Sequence, residues 1–383
     1  MKFRFVHRLS DINPCDWDRL PRDNYPFLSH AFLNALEESG SVSAESGWQP
    51  MHLIGENQGE LVLTMPLYIK EHSYGEYVFD WQWARAFEQH GRRYFPKLLS
   101  AIPFTPALGP RILTKNPLDA DTLGKVLETL KGFADKSAMS SWHLLFPDEP
   151  LHKLAEKHKE LMLREDVQFH WKNHGYVSFD AFLDTLKSSK RKQIRRERRK
   201  VQEQGVRLVQ KSGEGLEATD WQNFYHAYRA TYYKRSGHAG YLNKAFFDQI
   251  AETMSNQIML VNAYLEDESI ASALFFFDEK HLYGRYWGSL NEVDCLHFEA
   301  CYYQGIDFAI SRGIETFNPG TQGEHKLVRG FEPTKTQSYH WIADAEFAAA
   351  ISDYLARERT SIDHYKQAAG DYLPYKKDES DRS

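Results

Sequence analysis

The chain has 383 residues, of which 42% are hydrophobic and 14% aromatic, and its formal net charge is −6 at pH 7. This composition excludes a largely disordered protein, and the length favours two domains. Three cysteines without a C-x-x-C pair indicate a reducing compartment and no structural zinc. We also find no signal-peptide pattern, no bilayer-spanning apolar run and no histidine spacing typical of a metal site. The sequence therefore predicts a cytoplasmic protein without a metal.

The first half predicts a helix followed by a β-hairpin. The segment SHAFLNALEESG, residues 29–40, starts with the N-cap candidate Ser29 and has the apolar stripe of an amphipathic helix. The next twenty residues, MHLIGENQGELVLTMPLYIK, predict two strands with a turn at residues 57–59. We expect a further strand at YGEYVFDW, residues 74–81, then a helix at 94–101 and a short strand.

A strongly basic segment separates the two halves. KSSKRKQIRRERRK, residues 187–200, contains nine cations and one acid, Glu197. Ser178 is expected to cap a short helix, and Ser189 a second helix that ends before Gly205. In that second helix Ile194 and Val201 share one face.

Two interpretations of the basic helix remain open. It is either a solvated face whose side-chain stems lie on the protein surface, or a polyanion site. The acidic remainder of the chain and the absence of aromatic residues from the run argue against generic nucleic-acid binding. We expect a local role, in which the helix holds a phosphate-bearing substrate or braces the domain junction against acidic neighbours.

The second half repeats the order of the first. The apolar residues of NKAFFDQIAETM, residues 243–254, occupy the same relative positions as the apolar residues of segment 29–40. A hairpin turning at 266–268, a strand YGRYWGSL at 283–290, a helix at 297–312 and a short strand follow. Three matches in one order indicate a duplication. We predict an α+β, mixed α/β fold with two domains, 1–170 and 171–383, each a mostly antiparallel mixed sheet flanked by helices.

Three segments of the second half carry residues suited to ligand binding. The aromatic helix NFYHAYRATYYKRSG ends at Arg235, beside a glycine turn. RYWGSL, residues 285–290, partly matches the [QR]-x-x-G-x-[GA] pattern with which GNAT acetyltransferases hold coenzyme A, but Leu290 departs from it. NPGTQGEHKLVRGFEP, residues 318–333, brackets four charged side chains with glycines, which favours a functional loop.

These segments in this order resemble the Fem family of peptidyltransferases, most closely its FemAB-like branch of N-acyltransferases for peptidoglycan biosynthesis or recognition. In the second half the similar segments are Arg191–Val206, Thr231–Gly237, Phe298–Ala300 with Ala309 and Gly313, and Lys326–Phe331. In the first half they are MPLYIK, YVFDWQWA and IPFTPALGPR. The resemblance implies two GNAT-like domains and the transfer of an acyl or aminoacyl group to an amine.

We expect the acceptor, a small-molecule or peptide amine such as a cell-wall precursor, to attack the donor in a cleft between the domains. No cofactor is indicated firmly, and the donor is acyl-CoA or aminoacyl-tRNA, so that tRNA is a candidate partner. The amine needs a base, and backbone N–H groups of residues 284–288 are candidates for stabilising the oxyanion. The catalytic candidates are Glu324, His325 and Glu299, and the substrate-binding candidates are Arg235, Arg285, Tyr286, Trp287, Lys326 and Arg329.

A non-enzymatic alternative stays open at this point. A protein with this fold could bind a peptidoglycan precursor or RNA without chemistry, since fold does not establish function. Such a binder needs cations but no base. The cluster Glu324-His325-Lys326 therefore distinguishes the two hypotheses. Because the loop is bracketed by glycines, we expect few buried contacts there, and so expect Lys326 and Arg329 to affect ligand affinity more than folding.

Overall fold

Residues 1–321 and 323–376 are described by the computed structural model, and their contacts divide the chain into two units. The first unit consists of residues 1–166 and 335–364. The second consists of 167–334 and the segment from 365 onward. The predicted domains, 1–170 and 171–383, differ from these units chiefly in residues 335–364, which pack with the first unit.

The described elements alternate between short strands and helices. In chain order the strands are β1 (Lys2–Val6), β2 (Trp48–Pro50), β3 (His52–Asn57), β4 (Glu60–Met65), β5 (Tyr68–Lys70), β6 (Lys97–Ser100), β7 (Leu113–Thr114), β8 (Ser141–Leu145), β9 (Met162–Lys172), β10 (Val206–Ser212), β11 (Ile258–Leu265), β12 (Glu268–Phe277), β13 (His281–Ser289), β14 (Thr316–Asn318) and β15 (Glu332–Ile342). The helices are α1 (Pro14–Asp18), α2 (His30–Glu38), α3 (Trp81–Gln89), α4 (Ala120–Lys136), α5 (Glu149–Ala155), α6 (Phe179–Asp184), α7 (Ser188–Glu203), α8 (Ala218–Ser236), α9 (Lys244–Thr253), α10 (Leu296–Phe298), α11 (Gln304–Arg312) and α12 (Ala345–Asp371). A π-helical turn, Glu299–Tyr303, joins α10 to α11.

The strands of the first unit form two sheets. One has the order β1-β3-β4-β7, and the other contains β15-β8-β6-β5-β2. Neighbouring strands in both sheets run antiparallel except β6 and β8, which run parallel. Helix α4 connects β6 to β8 and packs its apolar face, which includes Leu123, Leu127 and Leu130, on Leu98 and Trp142 of these strands.

The second unit has one sheet in the order β10-β11-β12-β13-β14-β9. Here β13 and β14 are the parallel pair, and the helical segment from Leu296 to Arg312 connects them. Both units therefore follow one path: a hairpin, a further antiparallel strand, a crossover helix and a parallel strand. This confirms the predicted mixed α/β fold of mostly antiparallel sheets flanked by helices, except that the first unit has a second sheet, β1-β3-β4-β7, which is wholly antiparallel.

The predicted helix starts and hairpins are largely confirmed. Ser29 accepts from the Phe32 amide at the start of α2, and Asn243 accepts from Phe246 at the start of α9. The first hairpin turns after Asn57, and the second turns at residues 266–267, one residue short of the prediction. Local chemistry fixes these features, so they are readable from short segments.

The predicted match between residues 74–81 and 283–290 is wrong. Residues 74–80 form turns rather than a strand, because Gly75 and Tyr77 have φ values of 80° and 62°. The predicted helix at 94–101 is also wrong, since its centre is strand β6, and short apolar runs do not distinguish the two states. The first-unit counterpart of β13 is therefore β6, and α4 is the counterpart of the 297–312 helix.

A buried charge cluster fixes the 71–80 segment to β6. Lys97 is completely buried, and its Nζ lies 2.5 Å from Asp80 Oδ2, 2.8 Å from Glu76 Oε2 and 2.9 Å from Ser73 Oγ. Burial alone lowers the pKa of Lys97, but the two carboxylates raise it above its usual value. Burial also raises the pKa of Glu76 to about 7. These groups lie on the sheet face opposite to Leu98 and α4.

Replacing Lys97 with methionine should destabilise the protein by about 3–5 kcal/mol, because two buried carboxylates lose their counter-ion. Urea unfolding measures the change. The matched control is Lys115→Met, which removes the half-exposed ion pair with Glu60 and should cost no more than about 1 kcal/mol. Equal losses in the two variants would contradict the assignment of Lys97 as the anchor.

Candidate functional site

Strand β13 is distorted where its parallel partner ends. It pairs with β14 only from His281 to Tyr283, and β14 ends at Asn318 while β13 continues to Ser289. On its other side Leu274 faces Tyr286 and Phe275 faces Gly284, so that Arg285 is an extra residue in β13. Such a bulge bends a strand and redirects its backbone groups, often beside active sites.

A chain of polar contacts centres on Asn318 beside the bulge. Its Oδ1 accepts from Arg285 Nη1 at 3.3 Å and from the Gly320 amide at 2.9 Å. Its Nδ2 donates to Gln168 Oε1 at 3.2 Å, and His170 Nε2 lies 3.0 Å from the same oxygen. Burial, with the charge of Arg285 next, lowers the pKa of His170 to about 3, so this imidazole is neutral.

Lys326 extends this cluster from a short 3-10 helix, Glu324–Arg329. The residue is 1% exposed, and its Nζ donates to the Gly320 carbonyl at 2.6 Å. Burial lowers the pKa of Lys326 to about 7, and the positive charge of Arg285 adds to this effect. The ammonium and the free amine are therefore both populated at neutral pH.

His325 lies on the exposed side of the same helix. Its Nε2 is 2.8 Å from the Tyr302 hydroxyl. The ring covers Gly323, where φ is 104° and an added Cβ would lie 2.0 Å from the imidazole, so this position requires glycine. Burial, followed by the charges of Arg329 and Lys326, lowers the pKa of His325 below its usual value. A neutral imidazole oriented by a hydroxyl is suited to accept a proton.

Arg329 is buried in an ion pair, and its predicted part in substrate binding stays a prediction. It is 3% exposed and forms a bidentate ion pair with Glu197 of α7, with Nη2–Oε1 at 2.8 Å. Its Nη1 also donates to the His325 carbonyl at 2.7 Å. The prediction that this loop has few buried contacts is wrong, because the 3-10 turn directs Lys326 and Arg329 inward rather than into solvent.

Glu299 is engaged by neighbouring side chains. Both of its oxygens accept from Arg198, at 3.0 and 3.1 Å, and Gln304 also donates to Oε1. A carboxylate held in this way is less suited to act as a base than His325. Glu299 therefore differs from the other two catalytic candidates, Glu324 and His325, because its carboxylate is held by Arg198 and Gln304.

The aromatic candidates pack against other rings. Tyr286 is buried, with its ring centroid 5.8 Å from that of Tyr228. Trp287 contacts His297 at 5.5 Å, and His297 lies 6.3 Å from His325, again between ring centroids. Trp287 is thus connected to His325 through His297, whereas Tyr286 belongs to the packing of α8 on the sheet.

Glu324 and Arg235 are both exposed. Glu324 accepts from the Tyr365 hydroxyl at 2.8 Å. Arg235 lies in the last turn of α8 and is close enough to contribute to lowering the pKa of His297, after burial and His325. Both remain available to a ligand that approaches this face of the second unit.

Sequence reasoning missed Gln168, His170, Asn318, Tyr302 and His297. Three of these had a readable signal. Asn318 stands directly before Pro319-Gly320, a turn signature, and Gln168 and His170 alternate with the apolar residues Val167, Phe169 and Trp171. Tyr302 and His297 had no such signal in the sequence, because their contacts with His325 join segments that only the tertiary fold brings together.

The partial coenzyme A pattern has a packing explanation. Residues 285–289 belong to β13, and the following helix begins only at Leu296. A Cβ on Gly288 would lie 2.1 Å from the carbonyl carbon of Ala227 in α8. Glycine is needed there so that the helix backbone can approach the strand, independently of any phosphate.

The basic helix α7 has an inner face paired with acids. Arg198 contacts both Glu299 and Asp307, the latter at 2.8 Å. Away from this inner face, more exposed pairs join Arg191 to Asp184, Arg195 to Asp180 and Lys200 to Asp294. Ile194 and Val201 are buried as predicted, and the helix ends before Gly205. Its start differs, because the helix begins at Ser188 rather than after a Ser189 cap. The helix is thus paired with acidic neighbours within this unit, and its predicted role of bracing the domain junction stays a prediction.

The outer face of α7 carries an exposed basic stripe. Lys192, Arg195, Arg196 and Arg199 line one shallow hollow together with Glu203. Their spacing of three and four residues places the cations on one side of the helix, over a length of about 10 Å. We refer to these four cations as the outer basic stripe.

Neither a membrane-spanning helix nor a metal centre is found among residues 1–321 and 323–376. No helix in that part of the chain combines the length and apolarity needed to cross a bilayer. No group of three or more His, Cys, Asp or Glu side chains there is arranged to hold a metal ion.

Replacing Arg329 with methionine should lower the free energy of unfolding by about 3–5 kcal/mol, because Glu197 would be left buried without its partner. Urea unfolding measures the loss. The control Arg199→Met removes an exposed cation of α7 and should change stability little. Unchanged stability in the Arg329 variant would contradict a structural role and favour a role in ligand binding.

Comparison with known structures finds the same fold in several solved proteins. FemX is 11% identical, with a TM-score of 0.52 over 92% of this chain and 100% of that chain. A conserved protein of unknown function from Bacteroides thetaiotaomicron is 12% identical, with a TM-score of 0.52 over 90% and 100%. L-PGS from Bacillus licheniformis is 9% identical, with a TM-score of 0.50 over 87% and 98%. At these identities the likeness concerns the fold alone.

Sequence comparison is more specific about the family. No curated protein gives a significant match. A family model described as FemAB-like, peptidoglycan biosynthesis/recognition, matches residues 8–377, which is nearly the whole chain. Together with the two units of mixed sheet and the shared fold of FemX, this match shows that the chain belongs to the FemAB-like family.

Proposed function

We propose that the protein is a transferase that moves an acyl or aminoacyl group from an activated donor to an amine, with its chemistry in the second unit. The observation that carries the proposal is the buried Lys326, connected through Gly320 and Asn318 to the bulge at Arg285. A buried lysine beside a distorted strand end places a positive charge next to redirected backbone groups. The neighbouring His325 supplies the base that a binding protein does not need.

In the first step His325 takes a proton from the acceptor ammonium. The lowered pKa of His325 keeps the imidazole neutral and able to accept this proton at neutral pH. Tyr302, 2.8 Å from Nε2, acts as a positioning residue that fixes the ring. Arg329, which donates to the His325 carbonyl, holds the backbone beneath it.

In the second step the neutral amine attacks the carbonyl carbon of the donor. The new C–N bond forms, and the carbonyl electrons move to oxygen, where the Lys326 ammonium and backbone N–H groups at the Arg285 bulge stabilise the negative charge. The C–O or C–S bond to the carrier then breaks. The carbonyl re-forms as this bond breaks, and His325 passes its proton to the leaving oxygen or sulfur, which restores the neutral imidazole. The new amide nitrogen releases its remaining extra proton to solvent, so that a neutral amide results.

We propose aminoacyl-tRNA as the donor rather than acyl-CoA. The segment that partly resembles a coenzyme A loop is part of β13, and its glycine serves the packing of α8. Glu292 and Asp294, which precede the next helix, are carboxylates paired with Lys234 and Lys200, so this position offers no free cation to a pyrophosphate. The outer basic stripe, in contrast, offers four exposed cations to phosphates.

We propose an amine-bearing cell-wall precursor as the acceptor. The description of the family, peptidoglycan biosynthesis/recognition, supports this class of substrate. The exposed residues Glu324 and Arg235 are the candidate contacts for its charged groups, since both face solvent in the unit that contains His325.

The direct test is a transfer assay with purified protein. The protein is incubated with peptidoglycan precursors and either a pool of labelled aminoacyl-tRNAs or a pool of labelled acyl-CoAs, and label on the precursor is measured. We expect transfer from the tRNA pool, lost in His325→Gln and Lys326→Met. Transfer from acyl-CoA alone would overturn the proposed donor. Precursor binding without transfer from either pool would favour the non-catalytic binding module.

The pH dependence of transfer should be bell-shaped. Activity rises as His325 loses its proton, at a pH below the usual imidazole range, and falls as Lys326 loses its proton at about pH 7. In Lys326→Arg the cation cannot deprotonate, so the fall above pH 7 should disappear. The control Lys244→Arg exchanges an exposed lysine and should keep the bell-shaped pH dependence of transfer. A fall that persists in Lys326→Arg would contradict the role of this lysine.

Binding of tRNA should depend steeply on salt. Each neutralised phosphate contributes a slope of about −0.7 to −0.9, so four contacts give roughly −3 in a plot of log affinity against log salt. Replacing Lys192, Arg195, Arg196 and Arg199 with glutamine should remove most of this slope. The control replaces four exposed lysines of the first unit, Lys125, Lys136, Lys153 and Lys157, in the same way. Equal losses in both variants would show only a general charge effect.

A further inference from the structure

Two aromatic side chains of the first unit are held in an exposed position. Tyr74 is 56% exposed and Trp81 is 39% exposed. Their ring centroids are 5.1 Å apart, and the ring planes meet at 61°, so the two rings form an open corner. The ring of His72 packs against Tyr74 on the other side, at 5.2 Å. We refer to Tyr74 and Trp81 as the aromatic corner.

The backbone beneath this corner is fixed from within the unit. The buried Lys70 donates from Nζ to the Tyr74 carbonyl at 3.2 Å. Lys97 holds Glu76 and Asp80, and Asp80 directly precedes Trp81. Gly75 has a φ of 80°, and an added Cβ would lie 2.6 Å from the ring of Phe104. The segment between the two exposed rings therefore cannot turn over to bury them.

Holding the segment with buried charges while its aromatic rings stay exposed costs free energy, which is unexpected for a segment with a purely structural role. Burying ammonium and carboxylate groups removes their hydration, and their attraction repays that cost only in part. Large aromatic side chains stabilise a fold mainly by being buried. Here buried charges hold two aromatic rings in solvent, and rings maintained in this way are typical of ligand-binding surfaces.

We propose that the aromatic corner binds a pyranose ring of a saccharide. The C–H face of such a ring is apolar and packs on an aromatic face, while its hydroxyl groups need donors and acceptors at the side. Exposed Glu71 lies beside the corner in sequence and accepts from hydroxyls. Exposed Arg85 lies one turn along α3, on the same side as Trp81, and donates.

The geometry favours a sugar over a nucleobase. A planar base is held best against a parallel ring face or between two such faces, whereas rings at 61° leave a wedge that suits a thicker, non-planar ring. This inference goes beyond the proposed transfer reaction and does not depend on it, because the residues at the corner belong to the first unit.

The test is a titration with the trisaccharide of N-acetylglucosamine, followed by tryptophan fluorescence and by saturation-transfer NMR. We expect the full-length protein to bind it, and Tyr74→Ala and Trp81→Ala each to weaken binding about tenfold or more. The matched control is Tyr372→Ala, which removes a tyrosine that is 72% exposed in the second unit and should leave the affinity unchanged. Both corner side chains are exposed, so urea unfolding of the variants should match the parent protein.

Three results would overturn the proposal. The first is the absence of saccharide binding at millimolar concentration. The second is saccharide binding that neither corner variant weakens. The third is preferential binding of uridine monophosphate that depends on Trp81, which would assign the corner to a nucleobase instead. Loss of transfer activity in the second unit would not affect any of these readouts.

Discussion

The buried ion pair between Glu197 and Arg329 is the contact on which the proposed site depends. Glu197 is the single acid in the basic segment, and its position inside the second unit explains why one carboxylate interrupts nine cations. Arg329 ends the 3-10 helix that carries His325 and Lys326, and it also donates to the His325 carbonyl. The pair therefore connects α7 to the turn that positions both groups. The basic helix has two functions in this account, because its inner face organises the site and its outer face remains available to an anion.

Buried charge is used similarly in the first unit. Lys97 connects β6 to Glu76 and Asp80, and this contact determines the course of the segment that presents the aromatic corner. In both units an irregular segment after a strand is held by an ion pair with little exposure to water. Such pairs contribute little to stability compared with apolar packing, but they fix one geometry because an unpaired buried charge is costly. In both units, buried ion pairs thus hold the residues of an irregular segment in one geometry.

The sequence allowed the fold to be predicted wherever local chemistry decides the structure. N-caps at Ser29 and Asn243, and both hairpins, follow from short-range patterns. Prediction failed at residues 74–81 and 94–101, where short apolar runs suit either state and a buried lysine determines the outcome. In the site, His325, Lys326 and Arg285 were identified as candidates from their loop and strand context. The burial of Arg329 and the contact of Tyr302 with His325 were not predictable, because they join segments that are distant in the chain.

The proposed transfer reaction requires that the buried Lys326 beside the strand bulge is poised between its charged and neutral forms at neutral pH. Titration of the lysine side chains by NMR, with assignment from the Lys326→Arg variant, measures this directly. We expect the Lys326 signal to titrate with a pKa of about 7, against an ordinary value of 10.5. A midpoint near 10.5 would mean that Lys326 is hydrated in solution. In that case it would not be the preorganised cation on which the proposed transfer reaction depends.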